Sequence, residues 1–161
     1  MDRQRMRPTA LSARAPGRRN ERGQSLMEMA ISLVAIIILL AGIVDLGRAI
    51  FTFISLRDAA QEGLVYAAIY PFPCDRVRQR IDAALDGTPV SYRQVQYFYD
   101  GAFHGCDLAD PAKVSANTEA RVTVAQTDFP ITMPFLGALI GRQTIEIKAV
   151  ITGAVMRPVS P

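Results

Sequence analysis

The side chains that could do chemistry are few in this sequence of 161 residues. Its single histidine, His104, is followed closely by Cys106, Asp107 and Asp110, and these residue types can ligate a metal ion. Acidic side chains in a loop are more often simply solvated, so we predict no metal site. The sequence also lacks the H-E-x-x-H, G-x-S-x-G, P-loop and G-x-G-x-x-G motifs. We therefore expect no enzymatic activity, no cofactor and no small-molecule substrate.

The two cysteines, Cys74 and Cys106, carry more information. Both follow a long apolar stretch, so they share whichever compartment lies beyond it. If that compartment is outside the cytoplasm, disulfides persist there, and a bridge would tie the end of a helix to a later loop. We predict this bridge, with two free thiols as the alternative.

A lone carboxylate, Glu28, lies near the start of the apolar stretch. No charged residue occurs from Met29 to Val44. As a helix, the segment 26–44 would rise about 28 Å, close to the hydrocarbon thickness of a bilayer. We predict that it spans a membrane once. An unpaired charge there costs about 2 to 4 kcal/mol, so Glu28 needs a partner or a shallow position.

A cleaved secretory signal is the main alternative for this segment. Its apolar region would be shorter, about 7 to 15 residues, and would end in an A-x-A-like site. The sequence Ala41-Gly42-Ile43 supplies no such site. The pattern therefore favours a membrane span.

Positive charge is concentrated before the span. Residues 1–22 carry a net charge of +5 from seven arginines, whereas the rest of the chain carries −2. We predict a disordered basic leader over residues 1–23, held on the cytoplasmic side, with the C-terminal domain extracytoplasmic. This places the protein in the cytoplasmic (inner) membrane. A basic tail can also bind nucleic acid, but membrane topology explains this one, and we expect no nucleic-acid partner.

The helix is predicted to continue well beyond the span, over residues 24–70. Pro71 and Pro73 then end it, because a residue before proline is disfavoured in the helical region. Apolar residues recur near helical spacing and suggest one apolar face: Leu46, Ile50, Phe53, Ile54, Leu64 and Ala68. Small residues, among them Gly63 and Ala67, form a surface for close helix packing. They could pack against the chain's own globular part or against neighbouring subunits.

Residues 71–161 are predicted to form one small α+β domain with a short antiparallel sheet. Asp75 is the expected N-cap of a short helix. Three strands are expected, at Val90–Tyr99, around Ala120–Ala125 and at Gln143–Thr152, with a loop between the first two. The apolar stretch Phe129–Ile140 contains two prolines and is too short to span a membrane. It is expected to be a crossing loop and a helical turn.

Three segments together resemble a known bacterial family. They read R-G-Q-S-L-M-E-M-A from Arg22, D-L-G-R from Asp45 and A-A-Q-E-G-L-V-Y-A-A from Ala59. In this order they resemble the TadE-like pseudopilins of the tight-adherence pilus system, which are type IV pilin-like proteins.

The resemblance implies roles for particular residues. Such proteins are processed by a prepilin peptidase after a glycine, and they carry glutamate at the fifth mature position. Counting from Gly23 makes Gln24 the first mature residue and Glu28 the fifth. Glu28 would then meet the charged amino terminus of a neighbouring pilin-like subunit, which cancels two charges that are costly in lipid. Gln24 departs from the family, which commonly has phenylalanine there.

The expected function is therefore assembly of a tight-adherence or type IV-like pilus or secretion machine by a single-pass pseudopilin. The alternative is an anchored extracytoplasmic module that recruits another envelope protein without entering a filament.

Overall fold

The structure is a computed structural model, and it describes residues 21–133, 137 and 141–156. Its elements are two helices, α1 (Glu21–Ile69) and α2 (Cys74–Leu85), and four strands, β1 (Tyr92–Tyr99), β2 (Ala102–Gly105), β3 (Glu119–Pro130) and β4 (Thr144–Ala154). The predicted α+β class, with a long N-terminal helix and a small antiparallel sheet, is confirmed. The predicted leader, up to residue 20, and most of the expected helical turn before Ile140 lie outside the described residues.

Helix α1 is 49 residues long and is interrupted by no proline. It begins three residues before the expected start at Gln24 and ends just before Tyr70, Pro71 and Pro73. The described residues divide into two compact units, with the boundary between Ile37 and Ile38. The described part of the first unit is the N-terminal part of α1 alone. The second unit contains the rest of α1 together with α2 and the sheet.

The four strands form one antiparallel sheet in the order β2-β1-β3-β4. Strands β1 and β2 are joined by Asp100-Gly101, and both residues have positive φ, at 52° and 79°. This is the backbone conformation that a two-residue hairpin turn requires. The prediction of a loop between the first two strands was therefore wrong in part, because residues Ala102–Gly105 pair with β1 as strand β2. The segment A-F-H-G is too short for alternation to reveal it.

One face of the sheet packs against α1 and α2 and forms the core of the second unit. Val95 and Tyr97 of β1 pair with Val122 and Ala120 of β3, and all four are buried. Helix α2 contributes Val77, Ile81 and Leu85 to this core, whereas α1 contributes small residues together with Leu56. The residues on α1 are Leu56, Ala59, Ala60, Gly63, Ala67 and Ala68.

The apolar face that periodicity predicted on α1 is only partly the buried one, because Ala68 is buried and Leu64 is half-buried against the core. Leu46, Ile50, Phe53 and Ile54 are all exposed. The sheet and α2 instead approach the small residues, because only short side chains let a second layer come so close to the helix axis. A row of large apolar side chains on α1 is therefore left uncovered by the described part of the chain.

Helix α2 begins two residues earlier than expected. Its N-cap is Pro73, which offers no side-chain hydrogen bond, and Asp75 lies in the first turn instead. There Asp75 pairs with Arg78, with 3.2 Å between the carboxylate oxygen and the guanidinium nitrogen. Asp86 ends the helix in the left-handed conformation.

Candidate functional site

The N-terminal part of α1 presents apolar side chains that nothing in the described chain covers. Its most apolar stretch has a mean hydropathy of 2.7, and only 6% of that stretch is buried. Leu26, Leu33, Leu39 and Val44 are each more than half exposed. Apolar surface of this extent is unstable in water and is typical of a segment that meets lipid or other helices.

The predicted processing and assembly residues lie at the start of this apolar helix. Gly23 is in the first turn of α1, next to Gln24, and Glu28 follows just over one turn later. All three side-chain positions are exposed, and within the described residues Glu28 forms no ion pair. A Cβ atom added at Gly23 would meet nothing within 4 Å. Among the described residues, none covers the Gly23-Gln24 segment or the Glu28 carboxylate.

The two predicted helix-packing residues contact α2 and the sheet, which together with the part of α1 packed on them we call the body. A Cβ atom at Gly63 would lie only 2.4 Å from Cγ1 of Ile81 in α2 and 3.6 Å from Cγ1 of Val122 in β3. Ala67 is fully buried in the same core. Of the two alternatives for the small-residue surface, packing within the chain is the one that the structure contains. Neighbouring helices would have to contact other positions on α1.

Asp45, one residue after the predicted span, ties α1 to the segment after β3. Its carboxylate accepts hydrogen bonds from the Thr132 amide at 2.8 Å and the Met133 amide at 2.6 Å, and from the Thr132 hydroxyl. Arg48 lies one turn along, 3.5 Å from the same carboxylate. The Thr132 hydroxyl is the main cause of a lowered Asp45 pKa, with the two amides and Arg48 acting in the same direction against desolvation.

Sequence reasoning could find only part of this junction. The Asp45–Arg48 spacing is visible in the sequence as a one-turn pair. Thr132 lies 87 residues away from Asp45. No local pattern links two positions so far apart, so the contact could be found only from the fold.

Asp45→Ala is expected to lower the melting temperature of the body by several degrees at neutral pH, because two backbone amides lose their acceptor. The lowered pKa sets the pH dependence. The contacts of Asp45 stabilise the fold at every pH above the ordinary carboxyl pKa. This stabilisation is lost as the pH falls through the lowered pKa that Asp45 has in the folded state. Circular-dichroism melting of the full chain in detergent should thus show the gap between wild type and variant narrowing at acid pH. Asp58→Ala, at an exposed position of the same helix, should keep the wild-type dependence of melting temperature on pH. A difference in melting temperature between wild type and Asp45→Ala that stays the same at acid pH would contradict the role of Asp45.

The cysteines and the acidic loop residues serve the fold of the body. Cys74, the first residue of α2, is bonded to Cys106, which directly follows β2, with their Cα atoms 5.9 Å apart. The ring of His104 stacks on Tyr99 with centroids 4.1 Å apart. Asp107 pairs with Arg78, which lowers the Asp107 pKa.

Asp110 caps a short turn by accepting a hydrogen bond from the Ala112 amide at 3.0 Å. The carboxylates and the imidazole of this segment thus have separate structural contacts. Within the residues that the structure describes, no three His, Cys, Asp or Glu side chains are grouped to hold a metal ion.

These features define a class of protein. A single apolar N-terminal helix, compatible with single-pass membrane anchoring, continues into a small α+β body, and it is the one helix in the described chain long and apolar enough to cross a membrane. Residues 23–64 match the family model of the TadE-like protein, so the resemblance is confirmed and this segment is TadE-like. No curated protein and no solved structure matches the chain. The matched segment contains Gly23, Glu28 and Gly63, whereas α2 and the sheet lie beyond it.

Proposed function

We propose that the chain is a pseudopilin-like subunit that takes part in assembling a tight-adherence or type IV-like pilus, or a related secretion machine. The observation that carries this proposal is the TadE-like segment at residues 23–64. Within it, Glu28 stands on an uncovered apolar helix at the fifth position after Gly23. The proposal includes no catalytic step, and the subunit acts through contacts between helices.

The subunit is anchored in the cytoplasmic (inner) membrane with its N-terminus inside and its body outside. The arginines of residues 1–22 support this orientation, since positive flanks stay in the cytoplasm. The bond between Cys74 and Cys106 supports it independently, because disulfides persist in oxidising compartments.

The uncovered part of α1 supplies the contacts for assembly. The small-residue surface is already used inside the body, so neighbouring subunits meet the exposed apolar positions between Leu26 and Ile54. Glu28 pairs there with the amino terminus that processing creates on a neighbour. The pair removes two uncompensated charges from lipid at once.

A second candidate function is an anchored module that recruits an envelope partner without entering a filament. The outer face of the sheet favours it, because no helix covers that face in the described chain. Phe98 and Phe103 lie there with ring centroids 4.9 Å apart, and the Arg121 guanidinium lies 3.6 Å from the centre of the Phe103 ring. An arginine among aromatic side chains is a composition enriched at protein interfaces.

Processing separates the two functions. Coexpression of the full chain with the prepilin peptidase of its host should give a mature product whose first residue is Gln24, as read by mass spectrometry of the N-terminal peptide. Gly23→Leu should block this cleavage. The larger side chain fits the helix, because a Cβ atom there meets nothing within 4 Å.

Gly47→Leu is the matched control, since Gly47 is another glycine of α1 with open space around its Cβ position. This variant should be cleaved like the wild type. A wild-type product that begins before Gln24, or beyond Val44, would rule out pilin-like processing and favour the anchored module.

A further inference from the structure

A cleft of about 470 Å³ lies between α1 and the end of β3. Gly47, Arg48 and Phe51 line it from the helix, and Gln126 and Phe129 line it from the strand. The walls are mostly apolar, with one cation and one amide among them. This combination suits a small ligand with a charged group and an apolar part.

The helix side of the cleft follows the predicted membrane span directly. Arg48 is four residues after Val44, which is about 6 Å along a helix axis. The headgroup layer of a bilayer extends about 5 to 7 Å beyond the hydrocarbon on each side. A cleft that begins at Gly47 is therefore at the depth of lipid headgroups.

Arg48 has donors to offer a phosphate. Its guanidinium carries five N–H groups, and within the described residues its hydrogen bonds are two long ones of 3.5 Å, to Asp45 and Thr132. The side chain is 44% exposed, and its Cζ atom lies 5.3 Å from the centre of the Phe129 ring. The nearby Asp45 carboxylate balances its charge, so the site as a whole suits a zwitterionic ligand better than an anionic one.

Gln126 provides an acceptor that no protein group within the described residues uses. The residue is 8% exposed, and its Oε1 atom is buried without a hydrogen-bond partner. The local strand geometry brings this amide and Phe129 to the same cleft. Gln126 pairs with Ile147 and Phe129 pairs with Ile145, so β3 has one extra residue between the two pairs, a β-bulge. An unpaired buried carbonyl oxygen is unfavourable, and a donor from a ligand would relieve it.

We propose that this cleft binds the headgroup of phosphatidylethanolamine from the adjoining leaflet. The phosphate accepts hydrogen bonds from Arg48, the ammonium donates to Gln126 Oε1, and the lipid backbone lies along the exposed ring of Phe51. Phosphatidylcholine has the same phosphate but no N–H donor, so it fits only half of the site. The proposal requires that residues 26–44 span a bilayer, and it stands independently of a role in pilus assembly.

The test uses the full chain in phosphatidylcholine vesicles that contain a minor share of phosphatidylethanolamine. After gentle extraction, native mass spectrometry counts the lipids that stay bound. The wild type should retain phosphatidylethanolamine well above its share of the bilayer. Arg48→Gln should reduce this enrichment about tenfold, the effect of losing one charge-assisted hydrogen bond. Gln126→Leu should reduce the preference over phosphatidylcholine.

Two further variants separate lipid binding from general effects. Arg57→Gln removes an exposed arginine of α1 outside the cleft and should leave the enrichment unchanged. Gly47→Leu keeps Arg48 and its contact with Asp45 but places a side chain inside the cleft, so it should also reduce the enrichment. This variant tests the cleft even if Arg48→Gln disturbs the contact with Asp45. Equal loss in Arg57→Gln, retention in Gly47→Leu, or no enrichment in the wild type would each overturn the proposal. So would a preference for phosphatidylglycerol in vesicles that contain both lipids.

Discussion

Removing the bond between Cys74 and Cys106 should destabilise the body by about 3 to 4 kcal/mol, enough to unfold much of a small domain at 37 °C. The bond closes a loop with a sequence separation of 32, which includes α2, β1 and β2. Without it the unfolded chain gains the freedom that this loop had lost. Both sulfur atoms also belong to the buried core, so the expected loss includes packing as well as the constraint.

The measurement is urea unfolding of the full chain in detergent, followed by tyrosine fluorescence, because Tyr97 is fully buried beside this bond and the chain has no tryptophan. The double variants Cys74→Ser/Cys106→Ser and Cys74→Ala/Cys106→Ala separate the loss of the bond from the burial of two hydroxyl groups. The wild type in reductant should behave like the alanine pair. A reduced wild type as stable as the oxidised one would show that the bond contributes nothing to the fold.

The long helix illustrates what the sequence predicts well. The uncharged run from Met29 to Val44 and the prolines after Tyr70 locate its apolar stretch and its end within a residue or two, since both signals are local. The side of α1 that packs could not be found in the same way. Periodicity weights large side chains such as Leu46 and Ile50, whereas the close approach of Ile81 depends on the missing side chain at Gly63.

The pairing within the sheet likewise depends on contacts between distant segments that the sequence does not reveal. Strands β1, β3 and β4 carry β-rich sequence of their own, whereas β2 is a strand only because the Asp100-Gly101 turn returns it to β1. The contact of Asp45 with Thr132 and the bulge after Gln126 depend on the register between distant segments. Of the candidate site, the position of Glu28 five residues after Gly23 could be read from the sequence, and the cleft at Arg48 could not.

Glu28→Ala should abolish, or reduce at least a hundredfold, the pilus or secretion output of cells that depend on this subunit. The amino terminus of the neighbouring subunit would be left charged and unpaired in lipid. Losing one partner of such a pair costs about 3 to 5 kcal/mol, and 1.4 kcal/mol corresponds to a tenfold change in an equilibrium constant. Membrane insertion should be unimpaired, since alanine makes the span more apolar.

Two control variants identify charge as the cause. Glu28→Gln keeps the size of the side chain but not its charge, so it should fail like alanine. Glu62→Ala removes a half-exposed carboxylate farther along the same helix, whose partner Arg80 is 3.9 Å away, and it should assemble normally because such surface pairs contribute little. Carbonate extraction and an intact Cys74–Cys106 bond would verify insertion and folding in each variant. Normal output from Glu28→Ala would show that assembly does not need this carboxylate. The TadE-like segment would then keep only an anchoring role, because its apolar surface would still require a bilayer.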